Sequence, residues 1–119
     1  MANYIAIVEN VKEKHKEFGY KLKGREIMKI TTTFDNYLVA SIKDEIGERY
    51  IYKFDNGYGL SVIRNKYSYG GDHGLWEVAT IYFEDEYEYS ITDVLGIEVE
   101  GWLDWYEVDT RLRILKNIR

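Results

Sequence analysis

The dipeptide Asn56-Gly57 constrains this chain more than any other pair of residues in it. It stands between "ERYIYKF" and "YGLSVIRNKY", two runs rich in β-branched and aromatic residues. Asn-Gly in that setting is a strong hairpin signal, because a two-residue turn asks both central positions for φ > 0. Neighbouring segments carry the same period of two. Upstream lie "EIMKITTTF" and "YLVASIKD", separated by the turn-prone Asp35-Asn36. Downstream, "LWEVATIYF" follows the Gly70–Gly74 loop and "YEYSI" follows the acidic turn Glu84-Asp85-Glu86. These residue types suit a half-buried pleat. Five to six antiparallel strands in meander order are expected.

Both ends of the chain change period. Tyr4, Val8, Val11, His15 and Phe18 recur at spacings of four and three, with Asn3 placed to cap a helix and Gly19 to stop it. His15 fits the edge of that stripe and no ligand pattern. Near the C-terminus, Trp105, Val108, Leu112 and Leu115 recur in the same way. Asp104 and Glu107 have the spacing of a capping box, and Arg111, Arg113, Lys116 and Arg119 suit the negative end of a helix dipole. The expected fold class is α+β: N-terminal helix, antiparallel meander sheet, C-terminal helix, with the helices on one sheet face.

The 119 residues contain no proline and no cysteine, and they show no linker and no internal repeat. One domain spanning residues 1–119 is expected, large enough to fold without disulfide or metal. No apolar run approaches the ~20 residues that cross a bilayer. The lysines near the N-terminus follow the apolar patch instead of preceding it, the wrong order for a signal peptide. A cytoplasmic location, that of a bacterial host once the resemblance below is considered, is the expectation.

The net charge of −5 conceals a sharper pattern. Residues 1–30 sum to +3 and residues 31–66 to zero. Between Tyr67 and Thr110 there are twelve Asp or Glu and no Lys or Arg, and the last nine residues add +4. Such asymmetry bears on partners and encounter rates. In the N-terminal segment Glu9, Glu13 and Glu17 interleave with the lysines, and the pI is about 5.1, so direct nucleic-acid binding is not expected.

Catalytic and cofactor patterns fail in turn. Gly57-Tyr58-Gly59 continues to Val62, so it is no GxGxxG, and it opens a strand where a dinucleotide site needs a helix. The glycines of "SYGGDHG" fit turn chemistry, with a small anion nest as the competing reading. Asp72-His73 is an acid–histidine neighbour pair, but two histidines 58 positions apart make a poor metal set. Ser61 and Ser68 lack a nucleophile elbow. The carboxylates of the acidic turn lack the apolar pocket that would separate their pKa values, and "DEYEYSITD" lacks the EF-hand order. No catalytic residue, metal or cofactor is expected.

What remains is the aromatic content of the acidic stretch. Tyr67, Tyr69, Trp76, Tyr82, Phe83, Tyr87, Tyr89, Trp102, Trp105 and Tyr106 accompany its twelve acids. Tyr and Trp supply contact area at low entropic cost, and carboxylates beside them steer a basic partner. Alternation in "YFEDEYEYSI" sends Tyr87 and Tyr89 to one face and Glu86 and Glu88 to the other. A domain whose acids only confer solubility is the competing reading.

"YKFDNGYGLSVI", "SYGG" and "GLWEVA", followed by "ITDVLG" and a short C-terminal helix, resemble a group of small proteins of bacterial phages and prophages. The similarity runs from about Tyr52 to the end of the chain. The resemblance implies a setting and no chemistry: such accessory proteins often bind a host protein, defence nucleases included. The expected function is thus a non-enzymatic accessory protein that binds and inhibits a host protein with a basic surface. Its sharper version is anti-CRISPR-like. Tyr69, Asp72, Glu84, Asp85, Glu86, Tyr87 and Glu88 are the expected contact residues. One alternative is a small-ligand or nucleotide binder using the Gly70–Gly74 loop, with Tyr58, Tyr69 and Trp76 as stacking surfaces. The other is a virion component that self-associates through an edge strand, with a homodimer among the assemblies considered. No membrane partner is expected.

Overall fold

The computed structural model describes residues 34–119. The expected N-terminal helix with His15, and most of the strand expected in "EIMKITTTF", lie outside the described residues. Within them, six strands form one antiparallel sheet: β1 (Leu38–Lys43), β2 (Gly47–Lys53), β3 (Tyr58–Asn65), β4 (Trp76–Phe83), β5 (Tyr89–Ile91) and β6 (Val99–Leu103). A helix, α1 (Trp105–Lys116), follows. No helix among the described residues is long and apolar enough to cross a membrane.

β1 to β5 run in the expected meander order. β6 leaves it. The strand returns to pair with β4, so one edge of β4 is shared: Ile81–Phe83 pairs with β5, and Trp76–Ala79 with β6. β6 is short, contains Gly101 and is bulged, so no clean alternation announces it.

The Asn56-Gly57 hairpin forms, by a different turn from the expected one. Gly57 N–H donates to the Phe54 carbonyl (3.0 Å) and Phe54 N–H donates to the Tyr58 carbonyl (2.8 Å). Asp55, Asn56 and Gly57 are thus a three-residue loop in which only Gly57 has positive φ, at 90°. Asn56 keeps an ordinary backbone because its side chain is engaged elsewhere. Its Oδ1 accepts from Tyr58 N–H, and its Nδ2 donates to the carbonyls of Leu115 and Ile118 at the end of α1.

The period of two sorts the strands onto two faces. On one face Tyr50, Tyr52, Leu60, Val62, Trp76 and Val78 lie under Val108, Leu112 and Leu115 of α1, with Phe34, Phe54 and Leu103 in the same cluster. Each such side chain removed from water contributes about 1.5–3 kcal/mol before entropy is counted. On the other face Ala40, Ile51, Ile81 and Phe83 form a second buried group. Burial of Tyr50, Ile51 and Tyr52 in succession means that neither face of β2 is open there.

α1 begins as its sequence predicts. Asp104 Oδ1 accepts from Glu107 N–H (2.8 Å) and Glu107 Oε1 accepts from Asp104 N–H (3.0 Å), a reciprocal capping box. Arg111 donates to both carboxylate oxygens of Glu100, at 3.1 and 2.8 Å, tying the helix to β6. That bond holds the Arg111 guanidinium above its ordinary pKa.

Candidate functional site

The β3–β4 connection, residues 66–75, is built from its own side chains. Ser68 Oγ accepts from Asn65 N–H and donates to the Asn65 carbonyl, both at 2.9 Å. Gly70 and Gly74, at φ 89° and 74°, bracket a single 3₁₀ turn, Gly71–His73. The loop is longer than a plain hairpin turn because it packs onto β6. Tyr69 O accepts from Trp102 N–H at 3.0 Å. A Cβ on Gly101 would sit 2.2 Å from that of Tyr69, and one on Gly70 would sit 2.9 Å from Trp102 Cα. These two glycines let the loop and β6 touch backbone to backbone.

Trp102 is the unusual residue here. Trp76 pairs with Leu103 and Val78 with Glu100, so β6 carries one residue more than β4 across this interval. The extra residue makes a bulge, which re-aims side chains. Trp102 lies in it at φ 61°, the one non-glycine residue with positive φ among those described. For a bulky side chain that conformation costs on the order of 1–3 kcal/mol. No core packing compensates, since the indole is 55% exposed. His73 packs against it at a tilt of 48°, with ring centroids 5.0 Å apart. Tyr69, 42% exposed, and the exposed Asp72 complete a ledge of aromatic and acidic groups. Trp102 belongs to the aromatic stretch of the sequence but not to the expected contact residues. Gly101 immediately before it was the available signal, and only pairing with β4 turns that glycine into a bulge.

The acidic turn lies elsewhere. Glu84, Asp85, Glu86, Tyr87 and Glu88 are all exposed, beyond the opposite end of β4 from Tyr69 and Asp72. Eight residues of strand separate the two groups by about 24 Å. The structure therefore brings Tyr69 and Asp72 together, and Glu84 to Glu88 together, as two clusters. Within the second, Asp85 Oδ1 accepts from Tyr87 N–H and Glu88 N–H, both at 2.8 Å. These bonds hold its carboxyl below the ordinary range. Glu84 accepts from Ser90 Oγ. The expected alternation across 86–89 is not realised, because β5 starts only at Tyr89. Tyr89 packs on Phe83 while Tyr87 stays in the turn, 59% exposed.

Several of the twelve acids between Tyr67 and Thr110 are engaged within the chain. Glu77, Glu84, Asp85, Asp104 and Glu107 accept from backbone or hydroxyl groups. Glu100 and Asp109 pair with Arg111 and Arg113. The stretch holds twelve acids and no Lys or Arg of its own, so its net charge is strongly negative.

The catalytic and ligand readings gain no geometry. Ser68 is bound to Asn65, Ser61 is buried in β3, and His73 packs against Trp102. Among the described residues no three His, Asp or Glu side chains converge as metal ligands. Trp76, weighed as a stacking surface, is 7% exposed and carries the Arg64 guanidinium 4.2 Å above its ring. Arg64 is held there by Glu48, whose other oxygen accepts from the Tyr50 hydroxyl at 3.0 Å. Burial first, and then Glu48, push the Tyr50 phenol up. Tyr58 packs edge-on against Tyr82, away from any ligand cradle in the glycine loop. A cavity of about 230 Å³ at the β1–β2 turn, lined by Ile42, Ile46, Arg49 and Ile63 among others, is smaller than most ligand pockets. Compared with known protein families, curated proteins and solved structures, the chain matched none.

Proposed function

We propose that this chain is a non-enzymatic phage or prophage accessory protein that binds, and thereby inhibits, a host protein with a basic surface. The contact centres on the ledge of Tyr69, Asp72, His73 and Trp102. Trp102 carries the reading: a large aromatic side chain held in a costly backbone conformation, exposed, within 44 residues that contain no Lys or Arg. Interfaces draw their energy from a few such aromatic anchors, and negative potential around one favours a cationic partner. The glutamates of the acidic turn, about 24 Å away along β4, act at longer range by steering encounter. The host setting is proposed on the resemblance read from the sequence from Tyr52 onward, and on that alone. An anti-CRISPR-like role, against a complex that handles nucleic acid, is the form that negative charge fits best.

The test starts with affinity capture from bacterial lysate at low and high salt, with mass spectrometry on the eluate. The partner so named is then purified and its Kd measured against W102A and against the triple reversal E84K/D85K/E86K. W102A should weaken binding at least about tenfold, as a hot-spot residue does. The triple reversal should slow association and flatten its salt dependence. A partner bound equally well by both variants would sink the proposal, and so would the capture of none.

A further inference from the structure

Glu77 is a carboxyl group in the interior of a sheet. It lies in β4, fully buried, paired across to Ile63 of β3. Neighbouring positions of β4 hold the apolar Trp76, Val78, Ala79 and Ile81. Its Oε1 accepts from Tyr69 N–H at 2.8 Å. The carbonyl of that same Tyr69 accepts from Trp102 N–H at 3.0 Å. Glu77 is also the β4 residue opposite the β6 bulge, between the Trp76–Leu103 and Val78–Glu100 pairs. The buried carboxyl therefore reaches Trp102 through both polar groups of one residue's backbone.

We infer that Glu77 is the positioning residue of the Trp102 ledge: through Tyr69 it fixes the bulge that holds the indole exposed. The inference rests on the proposed contact surface for its purpose and on geometry alone for its content. Left-handed backbone at a tryptophan relaxes unless its surroundings over-determine it. The bond between Tyr69 and the bulge supplies that determination, and Glu77 keeps Tyr69 from shifting with it. Gly70 and Gly101 allow the close approach.

The experiment labels the three tryptophans with 5-fluorotryptophan and reads ¹⁹F NMR, with W102F assigning the Trp102 resonance. Amide exchange is followed in parallel. E77Q retains size and one acceptor oxygen but brings the two donors of an amide into the buried site. In E77Q the Tyr69 and Trp102 amides should exchange at least about threefold faster, while amides shared by β2 and β3 do not change. The Trp102 resonance should stay in place. E77L removes the acceptor, so the Trp102 resonance should shift or broaden, and partner affinity should fall as far as in W102A. The double variant E77L/W102A should bind no worse than W102A alone, because both act on one element. A purely structural role for Glu77 would lower the melting temperature and leave the Trp102 resonance where it is. That result, or unchanged Tyr69 and Trp102 exchange in E77Q, overturns the inference. Should E77L fail to fold, the E77Q exchange rates decide alone. The proposed function fails separately, when W102A binds like the wild type whatever the NMR shows.

Discussion

The side-chain amide of Asn56 donates to the carbonyl of Leu115 at 2.8 Å, joining the tip of the β2–β3 hairpin to the last turn of the helix 59 residues later. The same nitrogen donates to the Ile118 carbonyl, also at 2.8 Å, and Oδ1 accepts from Tyr58 N–H. Helices end with carbonyls that lack intrahelical partners. Here the side chain of a turn residue supplies donors to that end, so Asn56 closes the sheet face over which α1 lies.

N56A should therefore destabilise the domain by about 1–3 kcal/mol, the cost of leaving half-buried polar groups unsatisfied. N56D keeps an oxygen for Tyr58 but places a carboxylate against two carbonyls at the negative end of a helix. It should cost at least as much as N56A above pH 5. Urea unfolding of both variants, read at constant m-value, checks the order.

At Trp102 two substitutions separate backbone from side chain. W102G and W102A both remove the indole, but only glycine is at ease at φ 61°. W102G should be more stable than W102A by about 1 kcal/mol. Equal stabilities would mean that the left-handed conformation carries no strain. Thermal and urea unfolding supply the comparison.

Asp85 predicts a pH effect with a definite sign. Hydrogen bonds from Tyr87 N–H and Glu88 N–H lower its pKa in the folded chain. A depressed folded value contributes stability above the unfolded value of about 3.9, and that stability is lost as pH falls through the folded value. Unfolding free energy should thus decline as pH drops below about 4. D85N, which keeps one acceptor oxygen and cannot titrate, should make the decline shallower. Urea unfolding between pH 3 and 5 gives both slopes.

Arg64 packs its guanidinium over Trp76 and donates to Glu48 from Nε and Nη2, at 2.9 and 2.6 Å. Lysine retains the charge but neither the planar stack nor the paired donors. R64K should therefore cost about 1 kcal/mol or more. A variant as stable as wild type would show that the charge alone suffices.

The sequence carried the local features far. Asn56-Gly57 located the hairpin, the period of two placed β1 to β4 to within a residue or two, and Asp104 with Glu107 marked the start of α1. Each of these is decided by neighbours a few positions apart: φ at a glycine, the side of a pleat, a cap reaching its third residue. Where a local preference met a distant demand, the distant one prevailed. Asn56 took an ordinary backbone because its amide reaches α1, and the alternation across Glu86 to Tyr89 gave way to a turn closed by Asp85.

The site was legible in kind and not in place. Composition identified the acidic, aromatic stretch and the absence of cations in it. It could not say which acids serve the fold, because Glu77 and Glu100 meet their partners only once strands and helix are assembled. Nor could it separate Tyr69 and Asp72 from the Glu84–Glu88 turn, which are close in sequence and lie at opposite ends of β4. β6 has too little pattern to be seen, and its pairing with β4 makes the bulge that exposes Trp102. By itself the sequence determined the period, the turns and the charge, which depend on local sterics and on residue count. Tertiary structure alone decided the return of β6, the conformation of Trp102 and the burial of Glu77, because those depend on which distant surfaces pack together.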